Sequence, residues 1–94
     1  MNKKEAKQII QAELELFRAK SHAELVQMID AEPITGERDG PGGKEYQIEI
    51  QAFWDDKPTG DIRVVGSVDD GGWRAFMPLT ETFIKSPSNE FIGE

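Results

Sequence analysis

Residues 46–54 read YQIEIQAFW and residues 62–68 read IRVVGSV. In both stretches the even positions are apolar and the odd positions are mostly polar. A period of two is typical of a β-strand with one buried face. The intervening residues 55–61 include Pro58 and Gly60, which favour a turn, so we expect the two strands to pair antiparallel.

The residues that follow predict a hairpin. Residues 69–72 read DDGG, and an Asp-Gly pair tolerates the positive φ angles of a tight turn. If Val68 faces Trp73 across this turn, Val64 faces Met77 and the apolar alternation continues without a slip. An earlier strand around residues 34–38 would complete an antiparallel meander of three to four strands.

Helical spacing replaces the period of two before Pro33. Asn2 is a plausible helix start, and Ser21 followed by Glu24 has the spacing of a capping box that begins a short second helix. The second helix should end by Glu32, because proline disfavours helical geometry at the preceding residue. The first helix carries an apolar arc formed by Ala6, Ile9, Ile10, Leu14, Leu16 and Phe17.

These patterns combine into one α+β domain over residues 1–94. We expect both helices to cover the even-numbered face of the meander, because a one-sided sheet needs a second layer. Near the C-terminus, apolar pairs at residues 83–84 and 91–92 flank the turn-like residues 86–89. This arrangement predicts a small C-terminal hairpin.

Charge and composition exclude several classes of protein. The chain has 94 residues, a formal net charge of -7 and no cysteine. The negative charge disfavours nucleic acid and anionic membrane surfaces as partners. The lack of cysteine suits a reducing compartment, and no apolar stretch is long enough for a membrane span. We therefore expect a cytoplasmic protein.

Three apolar residues interrupt the polar outward face of the predicted sheet. They are Phe53, Val65 and Phe76, with Val65 opposite Phe76 in the predicted register, and they lie close to Arg63 and Arg74. A patch of this kind requires a cover. Either the chain's own tail covers it, through residues 83–84 or 91–92, or it is the interface with a protein partner or a second copy.

A second location for a site is a cleft between helix and sheet. Tyr46, Trp54 and Trp73 could line it, with His22 nearby. Aromatic residues at alternating strand positions are more often core packing, and this is the interpretation that we favour for both tryptophans.

Catalytic and metal-binding patterns are weak. His22 is the only histidine, so a Ser-His-Asp triad would have to use it and a metal site with several histidines cannot form within the chain. Acidic residues at 55–56, 61 and 69–70 match no calcium-loop spacing and suit turns. The glycine-rich residues 40–43 lack the ending of a phosphate loop. We assign no catalytic residue, metal or cofactor.

Residues 46–54, 60–64, 69–76 and 78–80 together resemble a group of short bacterial proteins to which no activity is assigned. The resemblance covers about half of the chain. It implies a bacterial origin and transfers no site residue. In architecture, helices on a curved meander are similar to cystatin-like and NTF2-like folds, which include inhibitors, binding modules and some enzymes.

The leading functional hypothesis is a non-enzymatic protein-interaction module, either an acidic inhibitor of the immunity type or a homo-oligomer. The charge, the apolar trio and the lack of a catalytic constellation favour it. The alternative is a small-ligand binding protein or minor enzyme that uses the cleft between helix and sheet.

Overall fold

The computed structural model describes residues 1–71 and 77–94 and has two helices followed by four strands. The elements are α1 (Lys3–Arg18), α2 (His22–Val26), β1 (Ile34–Asp39), β2 (Glu45–Trp54), β3 (Ile62–Asp69) and β4 (Leu79–Lys85). The strands form one antiparallel sheet in the order β1-β2-β3-β4, with the helices packed against one face. The predicted α+β class is confirmed.

Both predicted helix starts are present. The Asn2 side chain accepts a hydrogen bond from the Glu5 amide at 3.0 Å. At α2, the Ser21 hydroxyl accepts from the Glu24 amide at 3.1 Å, and the Glu24 carboxylate accepts from the Ser21 amide at 3.0 Å. These bonds satisfy amides that a helix leaves without internal partners, so the local sequence is sufficient to begin each helix.

The core lies between the helices and the even-numbered residues of β2 and β3. Among the described residues, the largest fully buried side chains are Tyr46, Ile10, Leu25, Ile50, Ile62, Val64 and Val68. The prediction that Leu16 belongs to the buried arc of the helix is wrong, because Leu16 is 63% exposed while Phe17 beside it is buried. Successive helical residues point about 100° apart, so the arc is narrower than the pattern indicated.

The predicted hairpin register after β3 is wrong. Val68 lies opposite Leu79, not Trp73, and Val64 lies opposite Phe83, not Met77. The displacement is an even number of residues, so the same side chains still face inward. Phe83 fills the core position expected for Met77, which is 61% exposed. Trp73 lies outside the described residues.

The C-terminal residues form the predicted small hairpin on the free edge of β4. Lys85 and Phe91 form an antiparallel bridge, and the Ile92 amide donates to the Ile84 carbonyl at 2.9 Å. A turn at Asn89, with a φ of 67°, reverses the chain. The returning segment therefore covers one end of an edge strand that would otherwise present unpaired backbone groups.

Lys85 is a buried cation with a structural role. Its side chain is 6% exposed, and its ammonium donates to the carbonyls of Arg18 and Lys20 at 2.8 and 2.6 Å. These carbonyls lie at the end of α1, where helices leave backbone acceptors unpaired and where positive charge is favourable. Lys85 thus joins the last strand to the end of the first helix.

Candidate functional site

The candidate site is the sheet face opposite the helices, which we call the outer face. Among the described residues on this side, all are exposed or half-buried and none is buried. The outer face comprises Thr35, Glu37, Asp39, Glu45, Gln47, Glu49, Gln51, Phe53, Arg63, Val65, Ser67, Asp69, Thr80, Thr82 and Ile84. The alternation of β2 and β3 predicted their part of this face correctly.

The alternative in which the tail covers the apolar residues of the outer face does not hold at Phe53, which is 47% exposed. The Phe91 ring lies 5.9 Å from the ring of Phe83, which is a core residue on the helix side. The Arg18 guanidinium of α1 lies 3.9 Å from the Phe91 ring centroid. Aromatic packing and a cation–π contact therefore hold Phe91 on the helix side. The next residue, Ile92, donates its amide to the Ile84 carbonyl, so the tail continues along the edge of β4 and places Ile92 beside Ile84 at the margin of the outer face.

One end of the outer face is apolar. Phe53 is 47% exposed, and Val65 is half-buried one diagonal step away, as expected from the sequence. The predicted Val65–Phe76 pair is wrong, because Val65 lies opposite Thr82, and Phe76 lies outside the described residues. Ile84, one of the predicted tail residues, belongs to β4 and lies on this face opposite Arg63. We call Phe53, Val65 and Ile84 the apolar end.

Arg63 is held in place within the apolar end. It lies between Phe53 and Ile84 in the strand register. Its guanidinium donates to the Asp55 carboxylate at 2.8 Å and to the Thr82 hydroxyl at 3.4 Å. The ion pair neutralises its charge, so the apolar end presents little net charge. Arg74, the other predicted interface cation, lies outside the described residues.

The other end of the outer face is acidic. Asp39 lies directly opposite Glu45, and Glu37, Glu49 and Asp69 occupy nearby positions on the same face. Like charges placed directly opposite each other on a sheet are destabilising. Within the described part of the chain, no cation forms an ion pair with these carboxylates. We call the five residues the acidic end.

Asp70, next to the acidic end, is a carboxylate that does have positively charged partners. Asp70 lies 3.3 Å from the Lys44 ammonium and 3.6 Å from the Met1 amino group. Partial desolvation opposes ionisation of Asp70, but the Lys44 hydrogen bond and the charge of the Met1 amine lower its pKa. Lys44 and the Met1 amino group are therefore directed to Asp70.

Two of the predicted cleft residues, Tyr46 and Trp54, do not come together. Tyr46 is fully buried near the start of β2, and its hydroxyl donates to the Glu5 carboxylate at 3.0 Å. Desolvation and this carboxylate raise the pKa of Tyr46. Trp54 lies at the opposite end of β2, about 26 Å away at roughly 3.3 Å per residue. Trp73 lies outside the described residues.

His22 and Trp54 are neighbours, as the cleft hypothesis expected. Their ring centroids are 6.2 Å apart. The His22 Nε2 lies 2.8 Å from the Gly60 carbonyl, while its backbone amide donates to the Asn89 side chain at 2.7 Å. These contacts join the start of α2 to two loops. They give His22 a structural role and bring no nucleophile or carboxylate to its ring.

No group of His, Asp or Glu side chains among the described residues is arranged to hold a metal ion. The Asp55 carboxylate accepts from Arg63, and the Asp69 side chain accepts from the Gly71 amide at 2.8 Å. Gly71 has a φ of 85°, which glycine adopts without strain.

The acidic end and Ile84 were missed as site residues by the sequence reasoning. Residues 80–85, TETFIK, are rich in β-branched and aromatic residues, a strand signal that could have placed Ile84 on the outer face. The described part of the chain contains no helix with the length and apolar character needed to cross a bilayer. No family model, curated protein or solved structure matches the chain.

Proposed function

We propose that this protein is a non-enzymatic protein-interaction module that binds a basic partner protein through its outer face. The observation that carries the proposal is the division of this face into an apolar end and an acidic end without described counter-ions. An apolar patch contributes affinity by burial, and a charged rim contributes association rate and partner choice.

The acidic end supports a cationic partner in particular. Placing Asp39 opposite Glu45 reduces the stability of the isolated domain, and a partner's Lys or Arg residues would relieve this repulsion. The same repulsion opposes stacking two acidic ends on each other. The overall charge of -7 would also steer a basic protein toward this module.

The apolar end supports a protein partner over a small ligand. Phe53, Val65 and Ile84 form an open surface on a sheet, whereas small-molecule sites are concave. Aromatic side chains such as Phe53 are enriched at the centres of protein interfaces. We therefore assign Phe53 as the apolar anchor of the interface.

The composition and the resemblance to short bacterial proteins direct the search for the partner. A chain without cysteine is suited to a reducing compartment, and we place the interaction in the bacterial cytoplasm. An inhibitor or immunity-type protein that neutralises a basic enzyme or toxin is the most specific form of this proposal.

The test begins with capture of a partner from bacterial extract on the immobilised protein and its identification by mass spectrometry. The purified pair is then measured by surface plasmon resonance at increasing salt. We expect a basic protein whose association rate falls steeply with salt. Sedimentation of the module alone should give a monomer, and a dimer that Phe53→Ser dissociates would instead establish a homo-oligomer.

Matched variants identify the face. Phe53→Ser should weaken binding, and its control is Leu16→Ser on α1, which removes another exposed apolar side chain. Glu49→Gln should slow association, and its control is Glu15→Gln, the same charge change on the helix side. Loss of binding in the two α1 variants, with normal binding in the two outer-face variants, would refute the proposed face.

A further inference from the structure

The strand β1 lies at one edge of the sheet, and alternate residues direct their backbone groups away from it. The Gly40 amide donates to the Lys44 carbonyl at 2.7 Å, which makes these residues a hydrogen-bonded pair at the end of the β1–β2 ladder. Hydrogen-bonded and non-hydrogen-bonded pairs alternate in an antiparallel ladder, so the even-numbered residues of β1 bond to β2. The amides and carbonyls of Thr35, Glu37 and Asp39 therefore point outward, and we call them the free edge of β1.

The free edge of β1 is open to another chain. Within residues 1–71 and 77–94, no segment pairs with it. The faces of β1 have little cover as well, because Gly36 is half-buried and the other five residues of the strand are exposed. An exposed strand edge is a template on which a second chain can add a strand. A monomer with such an edge requires a contact that blocks it.

The side chain of Arg38 makes a contact of this kind. Its Nη1 donates to the Glu37 carbonyl at 2.7 Å, and this carbonyl is the central acceptor of the free edge. Its Nε donates to the Glu13 carboxylate of α1, with which it forms an ion pair. The first helix thereby holds the guanidinium at a position where an added strand would place its own amide.

The lack of a side chain at Gly36 provides the space for this contact. A Cβ at Gly36 would lie 2.9 Å from Nη1 and 3.6 Å from Cζ of Arg38. The guanidinium therefore lies over the Gly36 backbone and continues from there to the Glu37 carbonyl. We call the contacts of Arg38 with Glu13 and with this carbonyl the edge cap.

We propose that the edge cap keeps the chain monomeric by preventing β1 from pairing with β1 of a second copy. One two-fold register suits that pairing, with Gly36 opposite Gly36 of the second copy and each Glu37 opposite Thr35. Centring the register on Glu37 or Arg38 instead places carboxylates opposite each other, which is destabilising. To form the favourable register, Arg38 must leave the Glu37 carbonyl, and this breaks a charge-assisted hydrogen bond.

Analytical ultracentrifugation of the full chain tests the proposal, with wild type expected to be a monomer. Arg38→Thr and Glu13→Ala both disrupt the edge cap, yet they change the net charge in opposite directions, so general charge repulsion cannot explain association in both. Arg38→Thr should strengthen self-association about tenfold or more, because pairing no longer breaks a hydrogen bond from a charged group. Glu13→Ala, which leaves Arg38 without its ion pair, should act in the same direction.

The matched controls make the same charge changes away from β1. They are Lys57→Thr in the loop after β2 and Glu15→Ala on α1, both at exposed positions, and both should remain monomers. Circular dichroism checks the folding of every variant. Because Arg38 is exposed, a folded Arg38→Thr variant is the expected result. Monomers in both folded edge-cap variants would overturn the proposal.

A second substitution locates the pairing. Thr35→Pro removes an amide of the free edge and no amide that bonds to β2, so the sheet itself can tolerate it. Added to Arg38→Thr, it should restore the monomer. Hydrogen exchange at the Thr35 and Glu37 amides should be slower in the Arg38→Thr dimer than in wild type. A dimer that persists with Thr35→Pro, or that leaves both amides unprotected, would place the association elsewhere and refute the edge cap.

Discussion

Replacing Gly66 by alanine tests how α1 is positioned on the sheet. Gly66 lies on the inward face of β3, where a Cβ would lie 2.9 Å from both Cγ1 and Cδ1 of Ile10 and 3.1 Å from Cδ2 of Leu14. Both helix residues are buried, so a shift of either side chain changes its packing in the core. The substitution must therefore displace α1 or force strained side-chain conformations.

The magnitude follows from the cost of overpacking a core. Gly66→Ala should lower the free energy of unfolding by about 1–3 kcal/mol. In a domain of this size, each kcal/mol lowers the melting temperature by roughly 4–8 °C. Urea and thermal unfolding followed by circular dichroism measure both quantities. Gly42→Ala is the control, because a Cβ at Gly42 meets no described atom within 4 Å, and it should change stability by less than about 0.5 kcal/mol.

A double-mutant cycle isolates the contact. Ile10→Ala removes Cγ1 and Cδ1 of Ile10, the two atoms nearest the Cβ position of Gly66. Alone, it should lower the free energy of unfolding by about 2–5 kcal/mol. In that background Gly66→Ala has room for its methyl group, so the two effects should differ from additivity by about 0.5–3 kcal/mol. Strict additivity, or a neutral Gly66→Ala, would refute the claim that this contact positions the helix.

Three further perturbations test the structure. Lys85→Met removes the hydrogen bonds to the carbonyls at the end of α1 and should lower the free energy of unfolding by about 1.5–3 kcal/mol in urea titrations; an unchanged midpoint would contradict this role. Glu45→Gln removes the like-charge pair with Asp39 and should raise thermal stability by about 0.2–1 kcal/mol, whereas a loss would show that the acidic end is not repulsive. Hydrogen bonds within the capping box lower the pKa of Glu24 from 4.5, so their contribution is complete above about pH 4.5 and is lost as pH falls through the lowered value; wild type and Glu24→Gln should differ at neutral pH and converge in acid.

Predictability differed between the fold and the candidate site. The outward positions of Phe53 and Val65 followed from alternation, because a strand repeats every two residues. The residues that neighbour Phe53 and Val65 could not be predicted in the same way, because the partner of Val65 depends on where β4 begins. The acidic end was not predicted either. Asp39 and Glu45 lie on different strands and become a like-charge pair only in the register in which β1 and β2 pair.

The sequence by itself determined the two helix starts, the order of the strands and the face on which each residue of β2 and β3 lies. These properties depend on local hydrogen bonds and on side-chain period. Only the tertiary structure decided that Val68 meets Leu79 and that the tail packs beside α1. A strand can slide by an even number of residues without exposing its apolar side, so the register was decided by which side chains fill the space under the helix, among them Phe83.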